Sequence, residues 1–134
     1  MKVLYAVLCE DAQARDDGRM DVHGIFHQLY APGFPAQQDR LVLVVNIEWS
    51  DAEAGRNEFR IDMLDPSGSP ALTITGHTDV GVRQKRDAPP QTRIVMPLEG
   101  VVFPTEGTYE FELHAAESQT KIANLHLIHD PEAR

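Results

Sequence analysis

His77-Thr78-Asp79 sets an imidazole and a carboxylate two residues apart. On a strand such residues share a face, so both can ligate one metal ion, with His126 far along the chain as a third ligand. A solvated loop start explains the pair as simply, since the chain holds 6 His and 21 acidic residues. Asp21, His23 and His27 make a second set on one strand face. Gly24 interrupts that strand, and a slip of one residue there sends His27 to the opposite face. His126 and His129, three apart, point oppositely on a strand and cannot chelate together. Cys9 closes an apolar run and reads as a small buried hydrophobe. No G-x-S-x-G elbow and no glycine-rich phosphate loop occurs, and Asp16, Asp17 and Asp65 read as turn residues.

Arg83, Lys85, Arg86 and Arg93 gather 4 of the 12 basic residues into one stretch of an otherwise acidic chain, with a net charge of −9. Beside Pro89 and Pro90 this reads as a docking site for an acidic partner or an anion. The overall charge excludes broad nucleic-acid binding, which depends on Lys and Arg displacing the phosphate counterions. Lys2 followed by Val3 to Cys9 imitates a short export signal. One lysine, a minimal apolar run and no small-residue cleavage site before Glu10 argue against it. No run reaches the roughly 18 apolar residues of a membrane helix, so the cytoplasm is the expected location. A single cysteine cannot form an internal disulfide, so packing alone must hold the fold.

The elements that must position these residues are strands. In 134 residues of which 42% are hydrophobic, short apolar or alternating runs recur between turn residues, the rhythm of an all-β antiparallel sandwich. Val3 to Cys9 reads as a strand covered on both sides. Arg19 to Tyr30 alternates Met20, Val22 and Phe26 with Asp21, His23 and His27. Leu41 to Trp49 is the spine of the core. Phe59, Ile61 and Met63, then Leu72 and Ile74, then Ile94, Met96 and Leu98 follow. Pro97 lacks an N–H donor, so its strand should lie at a sheet edge or break there. Tyr109, Phe111 and Leu113 precede a last strand from about Lys121 to Ile128. His77 to Gln91 is the one long loop. Seven or eight strands result, in a Greek-key, immunoglobulin-like arrangement filling one domain over 1–130, with 131–134 as a tail. Tyr109 is expected to bury its ring and bond backbone within Phe103 to Gly107.

Cys9-Glu10-Asp11-Ala12, Asp17 to Phe26, Phe34-Pro35 and Gly107-Thr108-Tyr109-Glu110-Phe111-Glu112-Leu113 together resemble an uncharacterised bacterial family of small β-sandwich proteins. Its pattern has an apolar strand ending near Cys/Asp, a D-G-K turn entering a strand, and a closing G-x-Y-x-F-x-L. Arg19 stands here where lysine is commoner. The resemblance implies the fold and carries no activity.

The expectation is a non-catalytic, cofactor-free sandwich that binds a protein partner, or itself, through a sheet edge or the 77–91 loop. The alternative is a small metal-dependent enzyme similar to the non-haem iron type, using His77, Asp79 and His126.

Overall fold

The computed structural model describes residues 1–84 and 87–133. Among these residues are nine strands: β1 (Lys2–Ala14), β2 (Met20–Phe26), β3 (Gln28–Ala31), β4 (Ala36–Glu48), β5 (Gly55–Leu64), β6 (Pro70–Val80), β7 (Gln91–Phe103), β8 (Gly107–Ala115) and β9 (Ser118–His129). Among the described residues the only helical turn is a 3₁₀ turn at Asp51–Glu53, and no helix is long and apolar enough to cross a membrane. A four-stranded sheet runs β2-β1-β4-β7 and a five-stranded sheet β3-β9-β8-β5-β6. All neighbours are antiparallel except β3 and β9, which are parallel.

The alternation on β4 dictates the core. Leu41, Leu43, Val45, Ile47 and Trp49 face inward against Ile61 and Met63 of β5, Tyr109, Phe111 and Leu113 of β8, and Leu125 and Leu127 of β9. Trp49 and Tyr109 are both within 1% of complete burial. The Tyr109 hydroxyl donates to the Thr105 carbonyl at 2.7 Å, inside the window read from the sequence.

Val42 and Val44 face the other way and are also fully buried, with Cys9. What covers them is the β1–β2 hairpin. Leu8 and Ala12 are four residues apart on β1 and should share a face, as should Phe26 and Val22 on β2. Leu8 and Phe26 nevertheless pack on the inner core, while Ala12 and Val22 pack on the outer cluster. Both strands change face where Gly24 takes φ +66°, a conformation L side chains rarely adopt. The hairpin beyond lies over the sheet. At its tip, Gly18 sits so close to β7 that a Cβ there would stand 3.6 Å from the Arg93 guanidinium.

Four expectations need correction. The Arg19–Tyr30 run is two strands in different sheets, parted at His27; Leu29, out of phase with Phe26, is the trace of that switch, and it raises the strand count to nine. The 77–91 loop shrinks to 81–90, because Asp79 and Val80 pair with Arg56 and Gly55 of β5. β1 is not covered on both sides throughout: β2 reaches only to Leu8, leaving Leu4 and Tyr5 exposed. The purely antiparallel pairing fails at β3, because a strand that leaves one sheet and enters the other beside β9 arrives in the same direction. Pro97 is on an edge strand as its missing N–H requires.

Candidate functional site

His77 and Asp79 are exposed together on the outer face of β6. His126 lies on β9, where its Nδ1 is 3.0 Å from the Thr108 hydroxyl. Strands β8 and β5 intervene, so β6 and β9 are three strand spacings apart, roughly 14 Å along the sheet. One ion cannot bridge that gap, and the triad is not assembled. The second set fails differently: His27, in the link between sheets, stacks edge-on against His126 at 6.5 Å, whereas Asp21 sits 3.9 Å from Arg15 in the hairpin. Among the described residues no three His, Cys, Asp or Glu side chains are placed to hold a metal.

Of the basic stretch, Arg83 folds its Nε onto the Asp87 carbonyl at 2.9 Å. Arg93 belongs to a strand, not to the loop, and extends toward the hairpin tip. Lys85 and Arg86 lie outside the described residues.

A polar network that the sequence did not disclose occupies the outer face of the five-stranded sheet. Asp62 and Glu112 stand directly opposite each other on β5 and β8, and both are more than nine-tenths buried. Facing carboxylates repel, and burial deepens the cost unless each is hydrogen-bonded. Here donors surround them. The Arg60 Nε is 3.2 Å from one Asp62 oxygen, and the His114 Nε2 lies at 3.4 Å from the same oxygen. Thr73 donates to the other at 2.8 Å, and Gln119 donates to Glu112 at 2.7 Å. Above it Arg56, Glu58, Arg60, Thr75, His77 and His114 line an open groove of about 510 Å³. The cations point at carboxylates of their own sheet, so the network settles internal charge. Strand alternation places Arg60, Asp62, Glu112 and His114 outward. Their opposition depends on register, which no local pattern carries.

The other candidate is the side of the sandwich where β6 and β7, the free edges of the two sheets, run beside each other, joined by the 81–90 loop. Near the loop they are tied: the Thr78 and Thr92 hydroxyls are 2.9 Å apart, and the Trp49 indole donates to Thr92 at 2.9 Å. Away from the loop they part around an apolar groove of about 340 Å³ lined chiefly by Met63, Leu72, Pro97, Leu98, Val101 and Val102.

The four sheet edges differ in what guards them. Edge strands commonly carry prolines, charges, kinks or shortness that prevent pairing with another chain. β7 has Pro97, Arg93 and Glu99, with Gly100 at φ +62°. β2 has Asp21 and the Gly24 kink, and β3 is four residues long. β6 begins with Pro70 and an irregularity of pairing at Ala71, yet from Leu72 to Thr78 it contains no proline and no Asp, Glu, Lys or Arg.

No curated protein matches the chain. A family model does, over residues 4–128, which takes in almost all of β1 to β9. That agrees with the resemblance to a family of small all-β proteins without an assigned activity. The chain belongs to DUF6941, a family of unknown function.

Proposed function

We propose that the protein is a non-catalytic binding module of the cytoplasm, a Greek-key, immunoglobulin-like sandwich that docks an extended protein segment along its β6–β7 side. The observation that carries this reading is the unguarded β6 edge lying beside an apolar groove. Strand addition needs both features: backbone donors and acceptors to continue the ladder, and a pocket for alternate side chains of the incoming strand. The loop that joins β6 to β7 flanks the same side, and there its Arg83 would meet acidic residues of a partner.

A photo-cross-linking residue at Ala71, which is exposed and lines the groove, tests this in cells. The expected result is one discrete cross-linked species that disappears when Thr75→Lys is added, with no counterpart from a probe at Lys121 on the outer face of β9. No species from Ala71, or one indifferent to Thr75→Lys, would overturn the reading.

A further inference from the structure

We infer that the occupant of the β6 edge is a second copy of this chain, its β6 paired antiparallel to the first about a two-fold axis through Ile74; this rests on the binding role proposed above. Isologous pairing is the commonest form of association between identical chains. Here the residues of one strand fix where its axis must fall.

A two-fold axis perpendicular to the continued sheet keeps the outer face outer. Directly opposed residues in an antiparallel pair also share a face, so the axis must pass through a residue position and not between two. The stretch of β6 free of Asp, Glu, Lys and Arg is Pro70 to Thr78, and its midpoint is Ile74. An axis there lays that whole stretch against its own copy. Each chain carries −9, so most approaches of two copies oppose like charges, which is costly. At this edge none do. Asp79, the first charge beyond the stretch, falls opposite the partner's Ser69.

Side chains agree with the same register. On the outer face Thr73 meets the partner's Thr75, and Thr75 the partner's Thr73. The Thr73 hydroxyl already donates to Asp62, so its oxygen accepts from Thr75 across the axis, a favourable cross-strand pair. On the inner face Ile74 meets itself, and Leu72 meets the partner's Gly76. Gly76 has no side chain, and the Phe59 ring closes on it so tightly that a Cβ there would stand 2.7 Å from the ring. The partner's Leu72 therefore packs beside an aromatic face with no side chain in its way. Moving the axis to Thr73 or Thr75 loses the Leu72–Gly76 match and leaves one threonine pair where an axis at Ile74 gives two.

Sedimentation velocity of the purified chain over about 1 to 100 μM should show the mean mass rising toward twice the 15.0 kDa of one chain. Thr75→Lys should remain at one chain throughout, with unchanged far-UV circular dichroism. Ile74→Cys should give a disulfide-linked dimer on mild oxidation, because directly opposed Cα atoms lie about 4.5–5.5 Å apart, within the reach of a disulfide. Lys121→Cys should not. A wild type that stays at one chain across the range, or a dimer that survives Thr75→Lys and fails to cross-link through Cys at 74, overturns the inference. In the first case the Ala71 probe still decides whether the edge binds another protein, so the two readings fail separately.

Discussion

The Tyr109 hydroxyl donates to the Thr105 carbonyl at 2.7 Å and accepts the Thr105 N–H at 3.2 Å, so one phenol satisfies both backbone groups of a single residue. The ring beneath is completely buried and sits edge-on to Phe103 at 5.0 Å. The turn from β7 to β8 is thus pinned to the core from inside. Tyr109→Phe keeps the packing and loses two hydrogen bonds, which should cost about 1–3 kcal/mol in urea unfolding. Tyr109→Ala should cost roughly 3–5 kcal/mol. A Phe variant as stable as wild type would show that water replaces the hydroxyl without loss.

Asp62 and Glu112 set two effects against each other. Removing one charge relieves the repulsion between directly opposed carboxylates, worth about 0.2–1 kcal/mol. It also weakens the hydrogen bonds from Arg60 and Thr73, where charge-assisted bonds contribute about 1.5–3 kcal/mol each. Arg60 is half-exposed, so its share falls toward the low end. Loss should still exceed relief, and Asp62→Asn should unfold at lower denaturant than wild type. An unchanged or higher midpoint would mean that the opposed charges dominate.

Most of the strands and the inner core were legible because one face of each strand is apolar with period two; the run from Leu41 on β4 to Trp49 just beyond it contains nearly the whole argument. The outer cluster was not. Val42 and Val44 announce a buried second face, but their cover arrives from Ala12, Met20 and Val22 only after β1 and β2 reverse at Gly24. The sequence marked the glycine and left the fold-over open. The candidate surface was legible in one half: Pro97 identified β7 as an edge. That β6 forms the facing edge depends on strand order, a long-range property. The metal reading failed on the same ground, since His77 and His126 sit on suitable strands of one sheet in unsuitable places.

Asp65 offers a pH test. Its carboxylate accepts from the Ser67 hydroxyl at 2.6 Å, the Ser69 N–H at 3.0 Å and the Ser67 N–H at 2.9 Å. The Ser67 hydroxyl first, then the backbone donors, hold its pKa below the ordinary aspartate value. A depressed folded-state pKa contributes stability that is fully present above the unfolded value, about 3.9, and is lost as pH falls through the folded value. Asp65→Ala should therefore melt lower than wild type at neutral pH, and the difference should close in strong acid. A gap that persists unchanged at the lowest pH would assign it to turn geometry and not to the charge.

Cys9 reports on the hairpin that covers it. Its sulfur is fully buried 3.5 Å from the Val42 carbonyl, and burial, reinforced by the nearby Asp11, raises its pKa. Both effects suppress the thiolate, the form that attacks disulfide reagents. The native thiol should react with an aromatic disulfide far more slowly than the denatured chain. What reactivity remains should follow lifting of residues 11–22 from Val42 and Val44, since local opening governs access to buried groups. Gly24→Ala supplies the control: a left-handed backbone costs a non-glycine residue roughly 1–2 kcal/mol, and the new Cβ would stand 2.7 Å from the Glu10 side chain. This variant should label faster while the rest of the fold keeps its circular dichroism. Equal rates for wild type, Gly24→Ala and the denatured chain would show that the hairpin does not shield the thiol.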